Sequence, residues 1–159
     1  MNQIEIFAPG SVANISCGFD VLGFCLDPIG DIMRISKTKT PGVSIGKVTG
    51  QDLPTDPEKN VASVAAMALL KETPTEFGFQ IDIEKKIKPG SGVGSSAASA
   101  AGAVFGINQL LGAPYTNNEL IRFALAGEAI ASGAAHADNL APVLLGGFTL
   151  VRSNETLDV

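Results

Sequence analysis

An α+β fold, a sheet with helices packed on one face, is what this sequence predicts. Three observations carry that expectation. Alternating apolar and polar segments dominate the first half, capped helical segments dominate the second, and Gly and Ala are abundant while charged residues make up only 17%. Strands gathered first and helices later point to segregated layers. At 159 residues the chain can bury one core, removing roughly 70% of its unfolded surface from water. A single domain is the default.

Ile4-Glu5-Ile6-Phe7 alternates, as do Asp31-Ile32-Met33-Arg34-Ile35 and Phe79-Gln80-Ile81-Asp82-Ile83. That period of two predicts strands with one buried face. Val43 to Val48 reads as a weaker strand and Pro54 to Pro57 as a loop. Asn60 can cap a helix to about Lys71, with Val61, Val64, Ala65, Ala68 and Leu69 on its apolar face. Ser95 and Ser96 can cap a second helix, whose body continues to Leu111 and ends at Gly112. Thr116-Asn117-Asn118-Glu119 is a capping box; its helix is expected to run to about Ser132, with Gly133 as its stop. A final strand is expected over Leu144 to Arg152, including Gly146-Gly147.

The formal net charge is −5, and the 11 basic residues are scattered, densest at Lys85, Lys86 and Lys88. Nucleic-acid binding is thereby disfavoured, because neutralising backbone phosphates is the main source of such affinity. A small phosphorylated ligand stays compatible, since backbone N–H groups hold phosphates without side-chain charge. Cys17 and Cys25 form neither a metal-ligand spacing nor a disulfide framework and read as small buried residues of a reducing compartment. Met1 to Ala8 lacks the features of a signal peptide. The weakly polar stretch Ala97 to Ala113 is interrupted by Ser99, Asn108, Gln109 and glycines, so no membrane span is expected. A soluble cytoplasmic protein is the resulting expectation.

The most informative segment is Pro89-Gly90-Ser91-Gly92-Val93-Gly94-Ser95-Ser96-Ala97-Ala98-Ser99, which joins a strand to a helix through alternating glycines. Glycine admits positive φ and close ligand approach, and successive N–H groups can converge on an anion beside the positive end of the helix. It is neither a Walker A loop nor a dinucleotide fingerprint. A flexible turn before a tightly packed helix is the alternative. Elsewhere the residues alone leave two readings open. Glu128, among small residues, is a solvated carboxylate or a ligand. His136, the single histidine, is structural or functional. Asn14 and Asp20 suit turns, Asn60 suits a helix cap, and Ser91, Ser95 and Ser99 suit caps or packing.

The glycine-rich segment resembles the second motif of the GHMP kinase superfamily, which wraps the phosphates of ATP. Two further stretches, Ala8 to Gly23 and Gly127-Glu128 with Ser132 to Pro142 followed by Gly146-Gly147-Phe148, resemble the homoserine kinases within it. The resemblance covers essentially the whole chain and implies the superfamily's N-terminal α+β domain over residues 1–159. That domain is similar to the second domain of a ribosomal protein of the small subunit and has a left-handed βαβ crossover against the usual rule.

The same resemblance implies that Pro89 to Ser99 and Asn60 bind ATP, Asn60 near the adenine. It makes Glu128 and Ser96 ligands of Mg²⁺, and sets Asn14, Asp20, His136, Asp138 and Asn139 beside L-homoserine. Asp20 would pair with the substrate ammonium and Asn139 would meet its hydroxyl. Many related kinases carry an aspartate where Asn139 stands, and asparagine accepts no proton at neutral pH. The implied mechanism therefore has no side-chain base, with Asn139 and Glu128 as the catalytic pair, and the product O-phospho-L-homoserine belongs to threonine biosynthesis. A homodimer is compatible with this reading.

The family pattern also includes a C-terminal domain, a third glycine-rich motif and arginines holding the substrate carboxylate, places that Arg122 and Arg152 do not occupy. The 159 residues taken alone are expected to have little kinase activity and to be aggregation-prone. Rival readings are a kinase for mevalonate or a sugar, a non-catalytic nucleotide sensor, and, by fold analogy only, an RNA-binding domain.

Overall fold

A computed structural model of the chain describes residues 1–133 and 136–159. β1 (Gln3–Ile15) and β2 (Gly18–Thr38) form a long antiparallel hairpin, pairing Gln3 with Ser36 at one end and Ile15 with Gly18 at the other. β3 (Gly42–Thr49) is joined through α1 (Val61–Glu72) to the parallel strand β4 (Gly78–Glu84), which runs antiparallel to β2. Then follow α2 (Ser95–Leu110), α3 (Asn117–Ser132), α4 (Leu140–Leu145) and β5 (Phe148–Leu150), the last pairing with Leu22–Phe24 of β2. The sheet order is β1-β2-β4-β3, with β5 beside the hairpin end of β2. This is the α+β class read from the sequence.

Alternation decides which face is buried. Ile6, Ala8, Met33, Ile35, Phe79, Ile81 and Ile83 turn inward and are almost fully buried, while Glu5 and Arg34 on the outer face pair in solvent. Each large apolar side chain removed from water contributes roughly 1.5–3 kcal/mol. α2 lies at the centre, against the sheet and against α1, α3 and α4. Its alanines and glycines permit this: a Cβ at Gly102 would crowd Met33 and Ala8, and one at Gly106 would crowd Ile35. Buried Asn108 accepts from the Tyr115 N–H and donates to the Tyr115 carbonyl, fixing the turn into α3.

Several expectations need correction. β1 and β2 extend far beyond Ile4–Phe7 and Asp31–Ile35, because the hairpin absorbs Pro9, Gly10 and Asn14 through register shifts and left-handed residues. On α1 the buried face is Ala62, Ser63, Ala65, Ala66 and Leu69, so Val61, Val64 and Ala68 are only half-buried. The strand expected from Leu144 is confined to Phe148–Leu150; Leu144 and Leu145 finish α4, which Gly146 terminates. Cys17 is exposed and Cys25 half-buried, both as free thiols. Lys85, one of the three lysines in the densest basic run, is buried. The capping box of α3 and its Gly133 stop are present as expected. Ala134 and Ala135, inside the last motif stretch, lie outside the described residues. Among the described residues no helix is long and apolar enough to cross a membrane.

Candidate nucleotide and phosphoryl-transfer site

A cavity of about 490 Å³ opens where the hairpin, the starts of α1, α2 and α4, and the end of α3 converge. Small-molecule pockets typically span roughly 300–1,000 Å³. Of the residues singled out from sequence, Asn14, Asn60, Pro89, Gly90, Gly92, Gly94, Ser95, Ser96, Ser99, Glu128 and Asn139 line it. Ser91 is exposed beside it. Ala97 and Ala98 are wholly buried in the core, so any part they take is through backbone. Val93 packs on the core, and its carbonyl accepts the Ser11 N–H at 3.2 Å.

The loop at the head of α2 is shaped by backbone need. Gly90 and Gly92 have φ of +74° and +78°, and a Cβ on either would meet nothing within 4 Å. Those glycines therefore serve conformation and leave the loop surface open. Gly94, at φ +64°, has a further reason, since a Cβ there would collide with Ser11 Oγ. The expected serine cap is not made: Gly94 is the N-cap, and no side chain caps α2. Ser95 Oγ instead donates to the Ile87 carbonyl at 3.1 Å, and Ser96 Oγ donates to Glu128 Oε1 at 3.1 Å. The first N–H groups of a helix have no intrahelical partner. Here they stand uncapped at the cavity, beside the positive end of the helix dipole, an arrangement suited to phosphate.

Opposite the loop, Asn139 occupies the N-cap position of α4, yet its side chain makes no cap bond. Its Oδ1 accepts the Ser11 hydroxyl at 2.9 Å, leaving its N–H₂ donors for a ligand. Asn60 is committed differently. Its Oδ1 accepts the Ala62 N–H at 2.9 Å and its Nδ2 donates to the Pro54 carbonyl at 2.7 Å, so it staples Leu53–Pro54 to the start of α1. Leu53, Pro54 and Val61 thereby form an apolar wall that sequence reading did not assign.

Next to the cavity lies a second group of residues. Asn14 Oδ1 accepts the Asp20 N–H at 2.7 Å, and Asp20 Oδ1 sits 3.0 Å from His136 Nδ1. Asp138 is buried and accepts the Asn139 N–H at 3.0 Å. Asn14, Ser16 and Asp20 all adopt positive φ, from +51° to +59°. Such strain in non-glycine residues concentrates at functional sites. Asn154, which sequence reading passed over, accepts the Ala137 N–H and donates to the Asp20 carbonyl, tying both segments together.

Two carboxyls carry the electrostatics. Burial raises Glu128 above the ordinary carboxylate value, the Ser96 hydroxyl opposes this, and nearby Asp138 adds to it. Burial likewise raises Asp138; the Asn139 N–H lowers it, Asp20 raises it and His136 lowers it. A cation beside Glu128 would relieve this cost. Among the described residues no group of three or more His, Cys, Asp and Glu forms a metal cage. One carboxylate and one hydroxyl beside a glycine loop of this shape nevertheless suit Mg²⁺, which takes one or two carboxylates together with substrate phosphates.

The family model described as GHMP kinases N terminal domain matches residues 60–147, more than half of the chain. The chain belongs to the GHMP kinases. Among curated GHMP kinases it is 46% identical to a homoserine kinase of Chloroherpeton thalassium, over all of this chain and 54% of that protein. It is 42% identical to one of Methanococcus vannielii, over all of this chain and 53% of the other. A crystal structure of homoserine kinase from Cytophaga hutchinsonii superposes with a TM-score of 0.93 at 48% identity, covering 99% of this chain and 51% of that one. The chain thus spans about half the length of the GHMP kinases it matches.

Proposed function

We propose that this chain serves a homoserine kinase, which transfers the γ-phosphoryl group of ATP to the side-chain hydroxyl of L-homoserine. The product is O-phospho-L-homoserine, in threonine biosynthesis, and a cytoplasmic setting accords with that. The observation that carries the reading is the convergence on one cavity of the glycine loop, the Ser96–Glu128 pair and the Asn139 side chain. Similarity to homoserine kinases along the whole chain supports the choice of substrate.

In this reading the uncapped start of α2 and Gly90 to Gly94 cradle the phosphates, and the wall of Leu53, Pro54 and Val61 takes the base. Glu128 and Ser96 hold Mg²⁺, which supplies charge neutralisation at the phosphates when bound. Asp20 and His136 receive the polar end of homoserine. Asn139, oriented by Ser11, donates to the attacking hydroxyl oxygen and fixes its direction. Asn139 has no basic group, so its contribution is orientation. Phosphoryl transfer through a loose transition state is compatible with catalysis by positioning and electrostatics alone.

The test offers homoserine, mevalonate and galactose separately, with ATP and Mg²⁺, to the full-length protein that contains this chain and follows ATP consumption, with ATP binding measured in parallel. Turnover with homoserine alone is expected. Tight ATP binding without turnover on any of the three overturns the kinase reading in favour of a nucleotide sensor.

A further inference from the structure

We infer that Lys85 and Asp31 are positioning residues for the nucleotide: their buried ion pair fixes both ends of the glycine loop and so sets its aperture. The inference rests on the nucleotide reading above and adds to it two residues that the sequence reading gave no role in the site. Lys85 Nζ lies 2.5 Å from Asp31 Oδ2, 2.6 Å from the Ser95 carbonyl and 2.9 Å from Ser99 Oγ. An ammonium has three donors. All three are committed to protein acceptors, so none remains for phosphate although Lys85 borders the cavity. The other Asp31 oxygen accepts the N–H groups of Lys86 at 2.8 Å and Ile87 at 2.9 Å. Ser95 Oγ closes the frame on the Ile87 carbonyl. Ile87 before the loop and Ser95 after it are therefore fixed by one pair, and residues 88–94 are suspended between them.

Stability alone is a poor reason for such a pair. The two side chains are 1% and 0% exposed, and desolvation of buried charges commonly cancels their attraction, so apolar replacement of both partners is often neutral or better. A cation at the start of a helix also opposes the helix dipole. What the pair supplies is geometry. One carboxylate reads the backbone at the end of β4, one ammonium reads the backbone at the start of α2, and their contact fixes the distance between the two.

Calorimetry with Mg²⁺ present compares ADP and adenosine binding to the wild-type chain, the double variant Asp31→Asn/Lys85→Met, and Asp31→Glu. The double variant removes both charges while keeping shape. Asp31→Glu keeps both charges but lengthens the anchor by one methylene. The expected result is a loss of ADP affinity of about tenfold or more in each folded variant, with adenosine affinity retained. ADP binding at the wild-type level in either folded variant overturns the inference. Equal loss of ADP and adenosine affinity also overturns it, since that marks general loosening of the fold. A wild-type chain that fails to bind ADP overturns the nucleotide reading itself, and this inference falls with it.

Discussion

Glu128 places a carboxylate among Ala126, Gly127, Ala129 and Ala131, where burial holds its proton more firmly than in the unfolded chain. The sign of the linkage follows. A carboxyl whose folded pKa is raised binds protons more readily when folded, so stability falls as pH rises from the ordinary value toward the raised one. Above that window the cost is fully present. Glu128→Gln is therefore expected to raise the melting temperature at pH 7.5, with the gain shrinking as pH falls through the window. Melting curves at several pH values check this, and a gain that grows on acidification contradicts it. If Glu128 holds Mg²⁺ as proposed, the same substitution in the full-length enzyme removes a charged ligand and is expected to lower kcat by roughly 10²-fold or more. Ser96, which donates to Glu128, cannot replace that charge, because a serine hydroxyl is neutral.

Among the elements, α1 shows how one cap serves two purposes. Asn60 satisfies the Ala62 N–H and also pins Pro54, so Asn60→Ala is expected to cost about 0.5–2 kcal/mol and to slacken the apolar wall. Adenosine and ADP should weaken together, read by calorimetry, in contrast to the loop-anchor variants, which spare adenosine. The cap was legible in sequence because a cap is local, and so were the Thr116–Glu119 box and the three alternating strand segments. The missed features have specific causes. α4 has six residues and contains Pro142, too short for a 3.6-residue period to appear. Leu144-Leu145 looks like the start of a strand until Gly146 ends the helix they belong to. Lys85 sits in a basic run, and its burial depends on Asp31, 54 positions earlier. The cavity residues could be named from motifs, but the partners that hold them, Ser11, Asp31, Lys85 and Asn154, depend on contacts far apart in sequence.

For the molecule as a whole, the hydrogen bond from Ser11 to Asn139 links residues 128 positions apart, so the first strand and the last helix close the same cavity. Seen as an order of manufacture, this makes ligand capture wait for α4. A ribosome must release the hairpin, the glycine loop and α3, and then α4, before the pocket has all its walls, and no earlier intermediate holds Asn139 in place. Chains stalled at increasing lengths and probed with a photoreactive ATP analogue are expected to stay unlabelled until α4 has emerged, then to label abruptly. Gradual labelling from the appearance of α2 onward would mean that the loop alone suffices. Newly made chains would thus be protected by nucleotide only once α4 has emerged, and the glycine loop would wait without a guest until then.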